Sequence, residues 1–283
     1  MAEKIMITAD STCDLSPELV ARYNVTIMPL IINMNDKSYR DGVDVVPEDI
    51  YRYADESSQL PTTSAIPVAV YEEFFRPYVA DGYKVIHINI SSGFSCTHQN
   101  ALIAAEELEG VYPIDSKNLS TGSGLVVIEA AIRRDQGMPA EEIVKELTED
   151  IIPKVEASFV VDTLKYLRMG GRCSSVAALG ANLLKLKPCI EVTEGKMGVG
   201  KKYRGNIGPC LLSYVRERLE GRTDLRTDRI FITHSGSTDE DVEAVRQLVT
   251  ELCDFGEILI TRAGCTVSTH CGPATLGVLF IRK

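Results

Sequence analysis

No stretch of this chain stays apolar long enough to cross a bilayer. About 20 consecutive apolar residues are needed, and the most apolar helix-like segment, GLVVIEAAI, is interrupted by Glu129. An excess of cations is missing too: 30 Lys and Arg stand against 40 Asp and Glu, a net charge of −10. A surface of that sign repels phosphate backbones and anionic headgroups, so neither nucleic acid nor a membrane surface is an expected partner. The eight cysteines contain no CxxC pair and no zinc-ligand spacing, so no metal site is expected. MAEKIMITAD lacks a signal-peptide h-region and runs straight into a strand-like segment. Scattered cysteines without a leader suggest a cytoplasmic protein whose thiols are reduced and mostly buried. Internal repeats, low-complexity segments and long linkers are also absent.

The 283 residues are 45% hydrophobic and 25% charged, enough to bury a sizeable core in one large or two moderate domains. Strand and helix signals alternate through the first half. KIMITAD, VTIMPLIIN, KVIHINIS and GVYPID have strand character; the helical segments include SPELVARYN, VPEDIYRYADE, VAVYEEFFRPYVADG, THQNALIAAEELE and LSTGSGLVVIEAAIRRDQG. Ser16 is placed to cap the first helix, with Pro17 at its first position. PAEEIVKELTEDIIPKV reads as one further helix. Strands separated by helical spacers imply crossovers and a largely parallel sheet.

The pattern changes near residue 155. After the strand ASFVVD, Asp162 is expected to cap DTLKYLRM, and Ser174 or Ser175 to cap SVAALGANLLKLK. CIEVTEG and MGVGKKYRG then look like the arms of a hairpin around a Gly-Lys turn. Two more helices and three strands follow. The sequence thus predicts two α/β domains, residues 1–155 with a largely parallel sheet and 156–283 with a mixed or antiparallel one. A ligand is expected between them, where such clefts form.

GKMGVGK (195–201) matches GxxxxGK, but Lys202 stands where Ser or Thr would hold magnesium, and Gly205, Gly208 and Pro209 do not continue into a helix. A hairpin turn explains it better. No GxGxxG occurs, and no nucleotide site is expected.

Gly93-Phe94-Ser95-Cys96-Thr97 sits between a strand and a helix, the context of a nucleophile elbow, although Thr97 replaces the final Gly and no acid pairs with a distant His. Its hydroxyls and free amides at a helix N-terminus suit a carboxylate or phosphate; the plainer reading is a helix cap. Pro61-Thr62-Thr63-Ser64-Ala65-Ile66-Pro67 is a second hydroxyl cluster, read as an extended loop between helices. In Leu167-Arg168-Met169-Gly170-Gly171-Arg172 the paired glycines permit a helix stop and a tight turn, from which Arg172 could reach a carboxylate. His270-Cys271-Gly272-Pro273 reads as a tight loop before the last strand. His87, His98 and His234 have no better context.

The order of these segments carries more than any one of them. Asp10-Ser11, Thr63-Ser64, SSGFSCT (91–97), IDSKNLSTGSG (114–124), YLRMGGR (166–172) and HCGP (270–273) together resemble the DegV family over almost the whole chain. The resemblance implies a lipid-binding protein, not an enzyme, that encloses one palmitate-like fatty acid between two α/β domains and uses no cofactor. It also implies a possible partner, a fatty-acid kinase that phosphorylates the presented carboxylate on the route to phospholipid. By motif, Thr63 and Ser95 match the hydroxyls that contact the carboxylate. Arg172 and His270 match positions near the head group or the kinase-facing surface. The chain departs from the family pattern at Cys96 and Ala274, where Gly is usual, and at Cys173, where a small aliphatic residue is usual. The added atoms at Cys96 and Ala274 are expected to shift the carboxylate or alter the kinase's approach. Two other functions remain open on the residues: an interaction protein with a vestigial cleft, and a lipid or ester hydrolase using Ser95 with His270.

Overall fold

The structure is a computed structural model that describes residues 3–177 and 186–283. Its first strand, β1 (Lys4–Asp10), is followed by α1 (Pro17–Arg22), whose first turn is capped by the Ser16 hydroxyl accepting from the Leu19 amide. The expected strand VTIMPLIIN is two strands, β2 (Val25–Met28) and β3 (Ile31–Met34). Pro29 between them has no amide to donate to a ladder, and the Leu30 amide turns instead to the Ser11 hydroxyl at 3.0 Å. β3 then pairs with β4 (Lys37–Arg40) through Asn35 and Asp36, whose positive φ values of 51° and 56° suit a tight hairpin.

Next come α2 (Pro47–Ser57), β5 (Thr62–Ser64) and α3 (Val68–Ala80). The Thr-Ser segment is therefore not a free loop. It is the edge strand of a small antiparallel sheet ordered β4-β3-β5, in which Thr63 lies opposite Ile32. β6 (Tyr83–Asn89), α4 (Thr97–Glu106) and β7 (Val111–Asp115) complete a four-stranded, wholly parallel sheet ordered β2-β1-β6-β7.

α5 (Thr121–Asp135) is buried along almost its whole length and packs on β1 and β6 on one side and on β8 (Val155–Val160) and the last strand on the other. α6 (Ala140–Glu146) does not extend to residue 155 as expected. It gives way to a π-helical turn at Leu147–Ile151 and a short 3-10 turn at Ile152–Lys154, as Pro153 ends the amide ladder.

Beyond β8 lie α7 (Lys165–Gly170), α8 (Ser174–Ala177), β9 (Leu186–Thr193) and β10 (Lys196–Arg204). Asp162 does not cap α7, which starts at Lys165; its carboxylate pairs with Lys187 at 2.5 Å instead. The remainder of the helix expected over SVAALGANLLKLK includes 178–185, outside the described residues. β9 and β10 form the expected hairpin, but its turn is Glu194-Gly195, with φ of 50° and 77°.

α9 (Ile207–Leu219), β11 (Leu225–Ser235), α10 (Asp239–Leu252), β12 (Glu257–Arg262), α11 (Cys265–Cys271) and β13 (Thr275–Arg282) close the chain. The second sheet is ordered β10-β9-β8-β13-β11-β12 and is mixed, with only β11 and β12 parallel. The protein thus has two α/β domains, the first built on a parallel sheet and the second on a mixed one. Their cores meet at α5, where Ile7 and Ile88 share a cluster with Phe231 and Leu279. Glu129, the buried acid of that helix, is 2% exposed and held by Arg133, Arg226 and Arg229. His270, expected in a loop, lies in the last turn of α11. A short helix buried on nearly every side has no polar stripe to betray it.

Candidate functional site

A cavity of about 480 Å³ lies where the small sheet, the β6–α4 loop, α11 and the β9–β10 hairpin converge. That is within the size range of ligand pockets, roughly 300–1,000 Å³. Thr63, Ser95, Arg172 and His270 all line it, though they come from four separate parts of the chain. Ile90, Phe94, Leu119, Met197 and Val267 supply its apolar walls. A smaller space of about 30 Å³ beyond shares Leu119, Val267 and Cys271 with it.

Strand pairing with β3 sets the direction of Thr63, and its Oγ1 lies 3.0 Å from Nε2 of His270. Burial, with the nearby charge of Arg172, pushes the His270 imidazole down to about 4, so it is neutral at pH 7. Its Nδ1 is buried without a hydrogen-bond partner among the described residues. That nitrogen faces Gly170, where even a Cβ would come within 2.4 Å of it.

Ser95 sits just before α4, whose N-cap is Cys96 without a side-chain cap bond. Its Oγ accepts from the Thr97 amide at 3.2 Å and shares a hydrogen with Thr97 Oγ1 at 2.7 Å. The loop is pinned at its start. The Ile90 amide donates to Asp10 Oδ2 at 2.7 Å, and Ser91 Oγ donates to the Gly195 carbonyl at 2.8 Å. That carbonyl passes so close to Gly93 that a Cβ would sit 2.2 Å from it, so the hairpin tip needs glycine in the loop it touches. Arg172 is exposed beyond the left-handed Gly171 (φ 67°), and its Nη1 donates to the Gly170 carbonyl at 2.7 Å.

A hydrolase would need His270 on Ser95 and a carboxylate behind the imidazole. The imidazole is instead on Thr63, and Ser95 is on Thr97. Cys96 is exposed at the cavity, while Cys173 is buried, with Sγ 3.7 Å from the Met197 carbonyl. Ala274 adopts a left-handed conformation with φ 54°. Two carboxylates that motif order did not single out, Asp14 and Asp41, approach the same region through the start of α11.

A larger cavity, about 1040 Å³, runs beside β7, β8 and β9. Its charged walls pair with one another, as Asp115 does with Lys117 and Glu191 with Arg218. None of the four expected site residues lines it. Among the described residues there is no cluster suited to a metal ion, and no helix is long and apolar enough to cross a membrane.

The family model described as "Uncharacterised protein, DegV family" matches residues 4–283. The chain belongs to the DegV family. A DegV domain-containing protein of Clostridium acetobutylicum is 34% identical over 285 residues, with 99% of each chain covered. Among solved DegV structures, one from Thermus thermophilus described by its fatty-acid binding has a TM-score of 0.88 at 30% identity, covering 99% of this chain and 100% of its own. A stearic-acid-binding protein of Eubacterium ventriosum has a TM-score of 0.83 at 26% identity, covering 99% and 98%. The fatty-acid-binding DegV of Bacillus subtilis has a TM-score of 0.82 at 25% identity, with both chains covered completely.

Proposed function

We propose that this DegV protein binds one long-chain fatty acid in the 480 Å³ cavity and holds its carboxylate at Thr63 and Ser95. The observation that carries the reading is the cavity's mixed lining, in which hydroxyls, an imidazole and a guanidinium share one space with aliphatic and aromatic walls. Relatives of the same fold bind fatty acids, stearic acid among them. No cofactor is required, since binding and presentation break no bond.

The energetics separate two tasks. Each buried methylene contributes roughly 0.8 kcal/mol, so about 14 of them contribute on the order of 10 kcal/mol before ordering costs. A neutral hydrogen bond contributes about 0.5–1.5 kcal/mol net. Tail burial therefore sets affinity, while Thr63 and Ser95 set where the carboxylate points. Neutral His270 can donate from one nitrogen without adding a fixed charge, leaving Arg172 as the exposed cation beside the head group. In this reading the protein acts in the cytoplasm as the substrate-presenting partner of a fatty-acid kinase, which transfers a phosphoryl group onto a carboxylate oxygen.

Mass spectrometry of molecules released from the purified protein tests the reading. One fatty acid per chain is expected. Ser95→Ala should keep most of that lipid while the carboxyl resonance of ¹³C-labelled palmitate shifts. Absence of extractable fatty acid, together with no rise in melting temperature on adding palmitate, would refute the assignment.

A further inference from the structure

The polar end of the cavity is assembled from both halves of the molecule. Thr63 and Ser95 precede β8 in the chain, whereas His270 rides on α11, which leads into β13 of the second sheet. α11 has only seven residues, and a helix that short has little cooperative stability of its own. Its leading amides need acceptors outside the helix, and two carboxylates from the first half of the chain supply them.

The Gly264 amide donates to Asp14 Oδ1 at 2.8 Å, across 250 residues of sequence. The Cys265 amide donates to Asp41 Oδ1 at 2.8 Å. The Thr266 amide and hydroxyl donate to Asp41 Oδ2 at 3.1 and 2.7 Å. Both acids are buried, with exposures of 5% and 3%, and each is held from behind. Ser120 Oγ donates to Asp14 Oδ2 at 2.5 Å, and Ser11 Oγ donates to Asp41 Oδ2 at 3.0 Å while accepting from the Leu30 amide. Asp10 stands nearby but spends its oxygens on Thr12 and on Ile90, at the root of the Ser95 loop.

We infer that Asp14 and Asp41 are positioning residues of the head-group site, gripping the start of α11 so that His270 at its other end stays on Thr63. They touch neither the cavity nor His270 and act through the helix. What the site holds rests on the fatty-acid reading; the grip on α11 does not. It makes Ser11, Asp14 and Asp41 part of one device that joins the two sheets at the point where the ligand's polar end would lie. Loosening it should leave the apolar walls in place and disturb only the polar end.

The experiment follows the imidazole of His270 by NMR in delipidated, ¹⁵N-labelled protein across a pH titration, and separately the rate at which bound ¹³C-palmitate leaves. Wild type should titrate His270 well below an ordinary histidine. Asp41→Asn and Asp14→Asn should raise that midpoint by about one pH unit or more and speed palmitate release about tenfold. Val245→Ala, a cavity in the core beneath α10, should lower the melting temperature yet leave both readouts unchanged. Gly264→Ala is a milder second variant, because its Cβ would lie 3.2 Å from Asp14 Oδ1 and 3.3 Å from Asp41 Oδ1. It should move both readouts in the same direction by less, and it decides the matter if the Asn variants do not fold. A lowered melting temperature with an unmoved His270 titration would make the two acids merely structural and overturn the inference. Wild-type protein that binds no palmitate would refute the fatty-acid reading, while the His270 titration would still judge the positioning.

Discussion

At the scale of single residues, the turn between α11 and β13 contains a backbone cost that can be relieved. Ala274 holds φ at 54°, in the left-handed region that costs an L-residue roughly 1–2 kcal/mol. Glycine adopts it freely but loses more entropy on folding. Ala274→Gly should therefore stabilise the protein by about 0.5–1 kcal/mol in urea unfolding with an unchanged m value. A loss of stability would mean that the Ala274 methyl packs favourably enough to offset its strain.

His87 offers a pH test at the same scale. It is fully buried, with Nδ1 2.8 Å from Thr8 Oγ1 and its ring edge-on to Tyr71, Phe74 and Phe75. Burial pushes its imidazole down to about 3. The folded state thus resists a proton that the unfolded chain accepts near pH 6.5. The stability this neutral ring contributes is complete above pH 6.5 and is lost as pH falls from there towards 3. Against His87→Phe, the wild-type unfolding free energy should decline by about 1.4 kcal/mol per pH unit through that window. A difference that stays constant with pH would show that His87 is not excluded from protonation in the fold.

Among elements, short ones carry the candidate site: β5 has three residues, α7 six and α11 seven. None has enough internal hydrogen bonding to hold its place alone, so neighbouring elements must set their positions. The turn after α7 leaves Arg172 exposed, with Nη1 donating to the nearby Gly170 carbonyl. An arginine so placed contributes little to the fold. Arg172→Ala should therefore leave fatty-acid loading nearly unchanged while cutting carboxylate phosphorylation by at least tenfold in a reconstituted kinase assay. Equal phosphorylation by both proteins would remove Arg172 from the proposed presentation surface.

These elements also mark where sequence patterns were weakest. Ser16-Pro17 announced α1 correctly, because a cap and a proline act within one turn. The β9–β10 hairpin was equally readable, since it needs only a nearby turn that tolerates positive φ. The strand character of Thr62–Ser64 was hidden, since its pairing with β3 involves residues some 30 positions away and its flanking prolines suggested a loop. α11 was missed for a related reason: CTVSTHC is buried almost all round and shows no amphipathic period.

For the whole molecule, α5 and its buried Glu129 join the two sheets. Glu129 lies 2.7 Å from Arg133 Nη1 and 3.0 Å from Arg229 Nη1, with Arg226 also bound. Arg226 and Arg229 belong to β11 of the second sheet, so the cluster spans the two domains. Removing the carboxylate would leave buried guanidinium groups without their shared partner. Glu129→Ala should cost roughly 3–5 kcal/mol, read from the urea midpoint. A cost below about 1 kcal/mol would show that the arginines find water or other acids when Glu129 is gone.

The residue order alone determined two α/β halves and the hairpin, because caps, periodicity and turn conformations are interactions between near neighbours. Motif order also identified the family. Only the tertiary structure decided that Thr63 meets His270 across 207 residues and that Asp14 and Asp41 grip the helix carrying the imidazole. Those contacts depend on which strands become neighbours and on how two sheets close around α5. No local pattern encodes that closure, since its energy is spread over packed side chains drawn from the whole chain.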